Sequence, residues 1–276
     1  SSKIELNFQT PTDSNLYDYY RIAILDPSLN VLSRNFVGKD TTLFAGAQNT
    51  GTYYVGIEKS AYYKDDEYEV KVSTTPGNAG IELEPNNNTN NATLLENEWL
   101  TGQLSSNSDF DYYKINVNES GTITIVFEPE TKSSLYDYFY VAIRDSGGQI
   151  LSRIKTGDDQ SVRAYVENAG TYYATVQKAD YSNNNNYSIS KTFIAGQDYR
   201  EIEKNNNKDI ATSISLGEFY TGQISTNEDI DFYSFEVSEI SKIELNFNTP
   251  TDSNLYDYYR IAILDPSLNV LSRNFV

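Results

Sequence analysis

The chain contains no cysteine, no histidine and no methionine in 276 residues. Without Cys and His, neither a Cys–His pair nor a Ser–His–Asp triad can be assembled. The usual zinc sites fall with them, because carboxylates alone favour hard cations. Oxygen donors are plentiful, which leaves calcium as the metal to consider. Basic side chains are scarce: 21 against 39 acidic ones, for a net charge of −18. Such a chain has no basic stripe to replace the counterions of a nucleic acid. Anionic membrane surfaces are disfavoured for the same reason. No apolar run approaches the ~18 residues of a membrane span, and no signal peptide is in view. With no Met, the sequence reads as a fragment or a processed product. Cysteine avoidance combined with high acidity fits a secreted or surface-exposed prokaryotic protein.

What is present is aromatic and repetitive. The 24 Tyr and 12 Phe supply large buriable surfaces in a chain that is otherwise only modestly apolar. Residues 2–37 recur as residues 241–276, an offset of 239, with Gln9 replaced by Asn248 as the only difference. A looser repeat runs at half that spacing. IELEPNNN (81–88) returns as EIEKNNN (201–207), and TGQLSSNSDFDYYKINV (101–117) as TGQISTNEDIDFYSFEV (221–237). SNLYDYYRIAILD (14–26) returns as SSLYDYFYVAIRD (133–145), and NTGTYYVGIEK (49–59) as NAGTYYATVQK (168–178). From Tyr53 to Tyr172 is 119 residues, so the unit is a module of about 120 residues. Written as modules, 1–75 is the C-terminal part of one, 81–193 is complete, and 200–276 is the N-terminal part of a third. The linkers TTPGNAG (74–80) and IAGQDYR (194–200) carry the Gly and polar residues of boundaries.

Within a module the pattern is β. Ile4, Leu6 and Phe8 alternate with Lys3, Glu5 and Asn7, and Tyr68, Val70 and Val72 with Glu69 and Lys71. Period two over short runs, broken at turns such as Asp26-Pro27-Ser28 and Ser146-Gly147-Gly148, predicts antiparallel strands with one buried face. The fold class is therefore all-β: tandem jelly-roll-like antiparallel β-sandwich modules. Short helical hints lie at 90–95 and 209–214. Tyr113, Ile115 and Val117 should face the core, with Lys114 and Asn116 outward. The clustered Glu, Asp and Asn are either a hard-cation site or a solvated acidic face with Asn-rich turns.

The layout E-x-E-x-N-N, G-x-L/I-S, D-x-D-Y/F-Y and G-T-Y-Y resembles the bacterial pre-peptidase C-terminal (PPC) domain. That family includes the collagen-binding domains of clostridial collagenases. The resemblance covers nearly the whole chain and implies a jelly-roll sandwich that binds calcium in several members. It assigns as ligands Glu82, Glu84, Asn86, Asp111 and the carbonyl of Tyr112. In the third module the matching residues are Glu201, Glu203, Asn205, Asp231 and Phe232. Asp109 and Asp229 are further candidates. Ser108 stands where the third module has the acidic Glu228, so the third set reads as the fuller one. Tyrosines that contact collagen in the collagenase domains are replaced here by Gln177 and Ala179, or Glu58 and Ser60, and collagen is not expected as a partner.

The functional expectation is non-catalytic: a calcium-stabilised structural repeat of an extracellular stalk or filament, whose partners are neighbouring copies joined head to tail. Split modules would be completed by covalent continuity or by strand exchange between chains. The rival expectation is a set of polysaccharide- or protein-binding modules attached to a secreted hydrolase or adhesin. The Tyr-Asp-Tyr clusters at 17–19, 136–138 and 256–258 read as core-edge packing or as an aromatic binding strip.

Overall fold

Alternating side chains give each strand one apolar face, and in the computed structural model those faces close on one another. Residues 1–181, 186–196, 198–249 and 256–276 are described. They form two compact units, Ser1–Ser234 and Phe235–Val276.

The first unit begins with six strands: β1 (Ser2–Gln9), β2 (Tyr20–Leu25), β3 (Val31–Val37), β4 (Thr41–Ala47), β5 (Tyr54–Lys59) and β6 (Glu69–Pro76). They build two sheets, β3-β2-β5 and β6-β1-β4. Ile4, Leu6 and Phe8 of β1 meet Ile22 and Ile24 of β2 in the core. Three short strands follow, β7 (Leu83–Glu84), β8 (Thr93–Leu94) and β9 (Leu100–Gln103). After β10 (Phe110–Val117), a second series repeats β1 to β6: β11 (Gly121–Pro129), β12 (Phe139–Arg144), β13 (Ile150–Thr156), β14 (Gln160–Val166), β15 (Gly170–Lys178) and β16 (Asn186–Ala195).

This second sandwich has the larger sheets. One sheet runs β13-β12-β15-β10-β8 and the other β14-β11-β16-β9. The three strands with no counterpart in the first sandwich are β8, β9 and β10, and they change the burial of their neighbours. Ile189 of β16 is fully buried beside β9, whereas its equivalent Val70 of β6 is 48% exposed. The expected register of β10 holds: Tyr113, Ile115 and Val117 are buried and Asn116 is exposed. Lys114 is half-buried instead of exposed. It lies between Tyr173 of β15 and Leu94 of β8, which flank β10 on both sides.

The helical hints are not realised. Residues 93–94 form β8, because the Thr93 hydroxyl and the Leu83 backbone exchange bonds (2.9 and 3.1 Å) that hold this segment extended. Only a 3₁₀ turn, Lys208–Ile210, forms near the second hint, followed by β17 (Thr212–Ser213), which pairs in parallel with β18 (Tyr233–Ser234).

In the second unit, β19 (Arg260–Leu264) and β20 (Val270–Phe275) reproduce the β2–β3 hairpin with the same register and the same bulge. The turn is also the same. Asp26 accepts from the Asn30 amide at 2.8 Å and Asp265 from the Asn269 amide at 2.8 Å. Leu29 and Leu268 are both held at φ 66°, where the middle copy uses Gly148 at φ 84°. The copy of β1, residues 241–248, is not a strand. β1 is flanked by β4 and β6, and no equivalents of those strands lie within 235–276. Without ladder partners the same letters have no sheet to join. Among the described residues no helix is long and apolar enough to cross a membrane.

Candidate metal centres

Each acid cluster forms where an extended segment crosses the start of a D-x-D strand. In the first, the Tyr112 amide donates to the Asn86 carbonyl at 3.0 Å and brings Asp111 against Glu82 and Glu84. One carboxylate oxygen from each of these three residues lies within 4.8 Å of the others. All three are buried, and Asn86 is fully so. The second cluster repeats the construction. The Phe232 amide donates to the Asn205 carbonyl at 2.9 Å, and Glu201, Glu203 and Asp231 converge within the same limit. It is more open, with Glu203 and Asp231 only half-buried.

One side of each cluster is held by donors. Glu82 accepts from the Gln103 amide (2.6 Å), the Tyr113 hydroxyl (2.5 Å) and the Asn86 side-chain amide (3.1 Å). Glu84 accepts from the Asn86 amide at 2.7 Å, and Asp111 from the Tyr187 hydroxyl. In the second cluster Glu201 accepts from the Gln223 amide (2.5 Å) and the Tyr233 hydroxyl (3.1 Å). The other side is left without protein partners. Among the described residues, Glu84 Oε1, Asn86 Oδ1 and Asp111 Oδ1 are buried with no hydrogen bond, and so are Glu203 Oε1, Asn205 Oδ1 and Asp231 Oδ1. The same three oxygens are orphaned in both copies. Buried unpaired acceptors cost roughly 1–3 kcal/mol each, and more when charged. Three oxygens from two carboxylates and an amide, beside a further carboxylate, are a donor set for a hard cation.

The electrostatics agree. Burial, then the charges of Glu82 and Asp109, pushes Glu84 up from 4.5 to about 10. Burial likewise raises Glu82 to about 7, and Asp111 goes well above the usual carboxylate range. Glu201 rises to about 9, Glu203 to about 7 and Asp231 to about 6, burial leading in each case. These clusters repel themselves when ionised, and no basic side chain is among the causes of any of these shifts.

A pH dependence follows for the metal-free chain. Folded values above the unfolded 4.5 mean that the native state holds protons the unfolded chain has lost. The stabilisation is complete below pH 4.5 and is lost as pH rises through the folded values, near 7 for Glu82 and near 10 for Glu84. The slope is about 1.4 kcal/mol per pH unit for each group still protonated. Urea unfolding in chelator should therefore show a chain that is more stable at pH 5 than at pH 7. Equal stability at the two values would contradict the buried acid arrangement.

The remaining candidates play other parts. Both Asp109 oxygens are engaged by amides: Ser105 at 2.6 Å and Phe110 at 3.1 Å. Asp229 accepts from the Ser225 amide at 2.6 Å. Both aspartates brace the turn before the strand and stand outside the converging carboxylates. Glu228, the residue that made the third set read as fuller, is exposed and is not among the converging carboxylates, and the first cluster is the better enclosed. Sequence reasoning missed Tyr113, Tyr187, Gln103 and Gly102. The recurrence of Thr-Gly-Gln at 101–103 and 221–223 was the available signal. A side chain at Gly102 would meet the Tyr113 hydroxyl at 2.5 Å.

No family model matches the chain. Collagenase ColA of Clostridium perfringens (strain 13 / Type A) is 26% identical in an alignment of 219 residues that covers 67% of this chain and 19% of the collagenase. The modules are PPC-like. The chain thus spans about a fifth of that relative's length. Among solved structures, the pre-peptidase C-terminal domain of a Bacillus anthracis collagenase aligns at 19% identity over 37% of this chain and 92% of the other, with a TM-score of 0.30. The tandem CBM51 modules of a family 98 glycoside hydrolase from Streptococcus pneumoniae align at 12% identity over 71% and 78%, with a TM-score of 0.29.

Proposed function

We propose that this PPC-like chain is a non-catalytic structural repeat of an extracellular bacterial stalk or filament, made of calcium-stabilised sandwiches joined head to tail. The observation that carries this reading is the duplication of one construction. The same three buried, unpaired oxygens recur at the entrance of successive modules, in a chain that also repeats 36 residues almost letter for letter. Recent duplication lengthens an array whose units contact only their neighbours. Glu82, Glu84, Asn86 and Asp111 would hold one ion with the Tyr112 carbonyl, and Glu201, Glu203, Asn205 and Asp231 another with that of Phe232. The ion would neutralise carboxylates that otherwise repel one another in a buried site. Asp109 and Asp229 support the turns, and Glu228 contributes nothing.

Calorimetric titration with calcium separates these roles. Asp231→Ala should weaken the second site about 100-fold, and Asp229→Ala only about tenfold, as loss of an outer support does. Equal losses would overturn the assignment. The array itself is tested by the mass of the native subunit and by electron microscopy of the native cell surface. A chain many multiples of 239 residues long supports a continuous array. A discrete chain near 276 residues that associates supports strand exchange. A discrete monomer that stays unassociated overturns both.

A second reading has one observation in its favour. Leu16 and Leu135 are 86% and 84% exposed at equivalent loop tips, beside Tyr17 and Tyr136, which are themselves nearly half exposed. Tyr17 stands edge-on to Tyr62, and Tyr136 to Tyr181, both at 4.8 Å. Paired aromatic tips suit a polysaccharide or protein ligand of an accessory module. Pulldown of the intact chain on polysaccharides and on collagen tests it, with Leu135→Asp expected to lose any capture.

A further inference from the structure

One side chain recurs at both joints between successive modules. Gln103, at the end of β9, accepts from the Ser33 hydroxyl at 2.9 Å and the Arg34 amide at 2.7 Å, both on β3 of the preceding sandwich. Gln223 accepts from the Ser152 hydroxyl at 2.6 Å and the Arg153 amide at 3.2 Å, both on β13. One amide oxygen thus takes two donors from adjacent residues on the edge of the module before. The Gln223 side chain returns a bond to the Arg153 carbonyl at 2.8 Å. In both copies the backbone amide of the same glutamine donates to the first glutamate of the acid cluster. The joint and the cluster share a residue.

The rest of the contact is not shared. At the first joint β4 pairs in parallel with β7, and Gln48 donates to the Leu83, Pro85 and Asn91 carbonyls. That approach requires Gly46, whose Cβ would collide with the Glu82 carbonyl. The equivalent positions are Tyr165 on β14 and Glu167 just after it, and among the described residues β14 has no such partner there. The glutamine clamp survives this change, which marks it as the constant part of the joint. A third copy of the Ser-Arg edge that donates to the glutamine is also in the chain. Ser272 and Arg273 match Ser33 and Arg34 in sequence and in hairpin register. Ser33 and Ser152 are buried under their glutamines, whereas Ser272 and Arg273 are exposed.

We infer that this Gln-to-Ser-Arg clamp is the common joint between successive modules, and that Ser272–Arg273 is its next seat, fitted to the Thr-Gly-Gln strand of a further module of the same repeat. The second half of this statement rests on the array reading above; the first does not.

Amide hydrogen exchange on the intact chain tests both halves. Arg34 and Arg153 should exchange slowly. Gln103→Ala should speed Arg34 by about tenfold, the worth of one hydrogen bond, and leave Arg153 unchanged. Gln223→Ala should do the reverse. Gln103→Leu, which keeps the volume and removes the acceptor, covers the case in which the alanine variant does not fold, and the Ile125 amide reports any global opening. If Arg34 stays slow in a folded variant, the clamp is wrong. For the third seat the chain is lengthened after Val276 by residues 38–193, which continues the repeat in register because Val276 matches Val37. Arg273 should exchange fast in the 276-residue chain and about tenfold more slowly in the longer one. An unchanged Arg273 overturns the third seat. A native protein with no further module removes the array reading but leaves the Arg34 and Arg153 results standing.

Discussion

Millimolar calcium should raise the melting temperature of the chelated chain by about 5–10 °C at pH 7. A ligand that binds only the folded state adds about 2.7 kcal/mol at a hundredfold excess over its Kd. For a unit of some 200 residues, each kcal/mol moves the midpoint by about 2–4 °C. The gain arises because the metal-free clusters are a burden: three carboxylates converge in each, and three buried oxygens have no donor. Calcium would replace the missing donors and offset the burial, and then the neighbouring charges of Glu82 and Asp109, that lift Glu84 to about 10. Calcium should also flatten the pH dependence of stability, because it binds the ionised forms, and binding at pH 7 should release protons. Two buffers of different ionisation enthalpy would show that release in the calorimeter. Asp111→Asn should remove most of the shift contributed by the first site, while Glu228→Gln should leave the whole shift intact. A melting temperature indifferent to calcium and chelator would end the calcium reading, whatever the array does.

The parts of this architecture that were legible in the sequence are those in which neighbouring letters decide the outcome. Alternation of Ile4, Leu6 and Phe8 fixes which face of β1 is buried, and the same letters at 20–37 and 259–276 give the same bulged hairpin twice. The acid clusters were legible for another reason. Glu82, Glu84 and Asn86 lie on one short segment, and Asp111 follows in a recurring motif. What could not be read depends on partners far along the chain. Tyr187 reaches Asp111 from 76 residues away, and its hydroxyl becomes a donor to the cluster only once β16 lies against β9. Gln103 reads as an ordinary polar residue at a strand end until β3 of another module supplies Ser33 and Arg34. The copy of β1 at 241–248 shows the converse: identical sequence forms no strand where its ladder partners are missing.

Gly102→Ala should be among the most damaging single changes in the chain, costing about 3 kcal/mol of stability. Glycine is required here by space, not by dihedral angle. An added Cβ would lie 2.5 Å from the Tyr113 hydroxyl, and 2.5 and 2.6 Å from Cζ and the hydroxyl of Tyr187. Neither ring can yield. Tyr113 and Tyr187 are 0% and 1% exposed, and their hydroxyls bond each other at 2.8 Å. Tyr113 also holds Glu82, and Tyr187 holds Asp111, so the strain passes directly into the acid cluster. The alanine should therefore lower the melting temperature of the first unit by about 10 °C and weaken calcium binding at the first site together with it. Gly222→Ala is the internal control. Its Cβ would meet the Tyr233 hydroxyl and Glu201 Oε2, but Tyr233 is only half-buried, where Tyr113 is fully enclosed. The loss there should be nearer 1 kcal/mol, at the low end for a strained contact. Calorimetric melting of the two variants, with and without calcium, checks the pair. Equal and small effects would mean that the tyrosines are not fixed in place and that the first cluster is looser than its hydrogen bonds require.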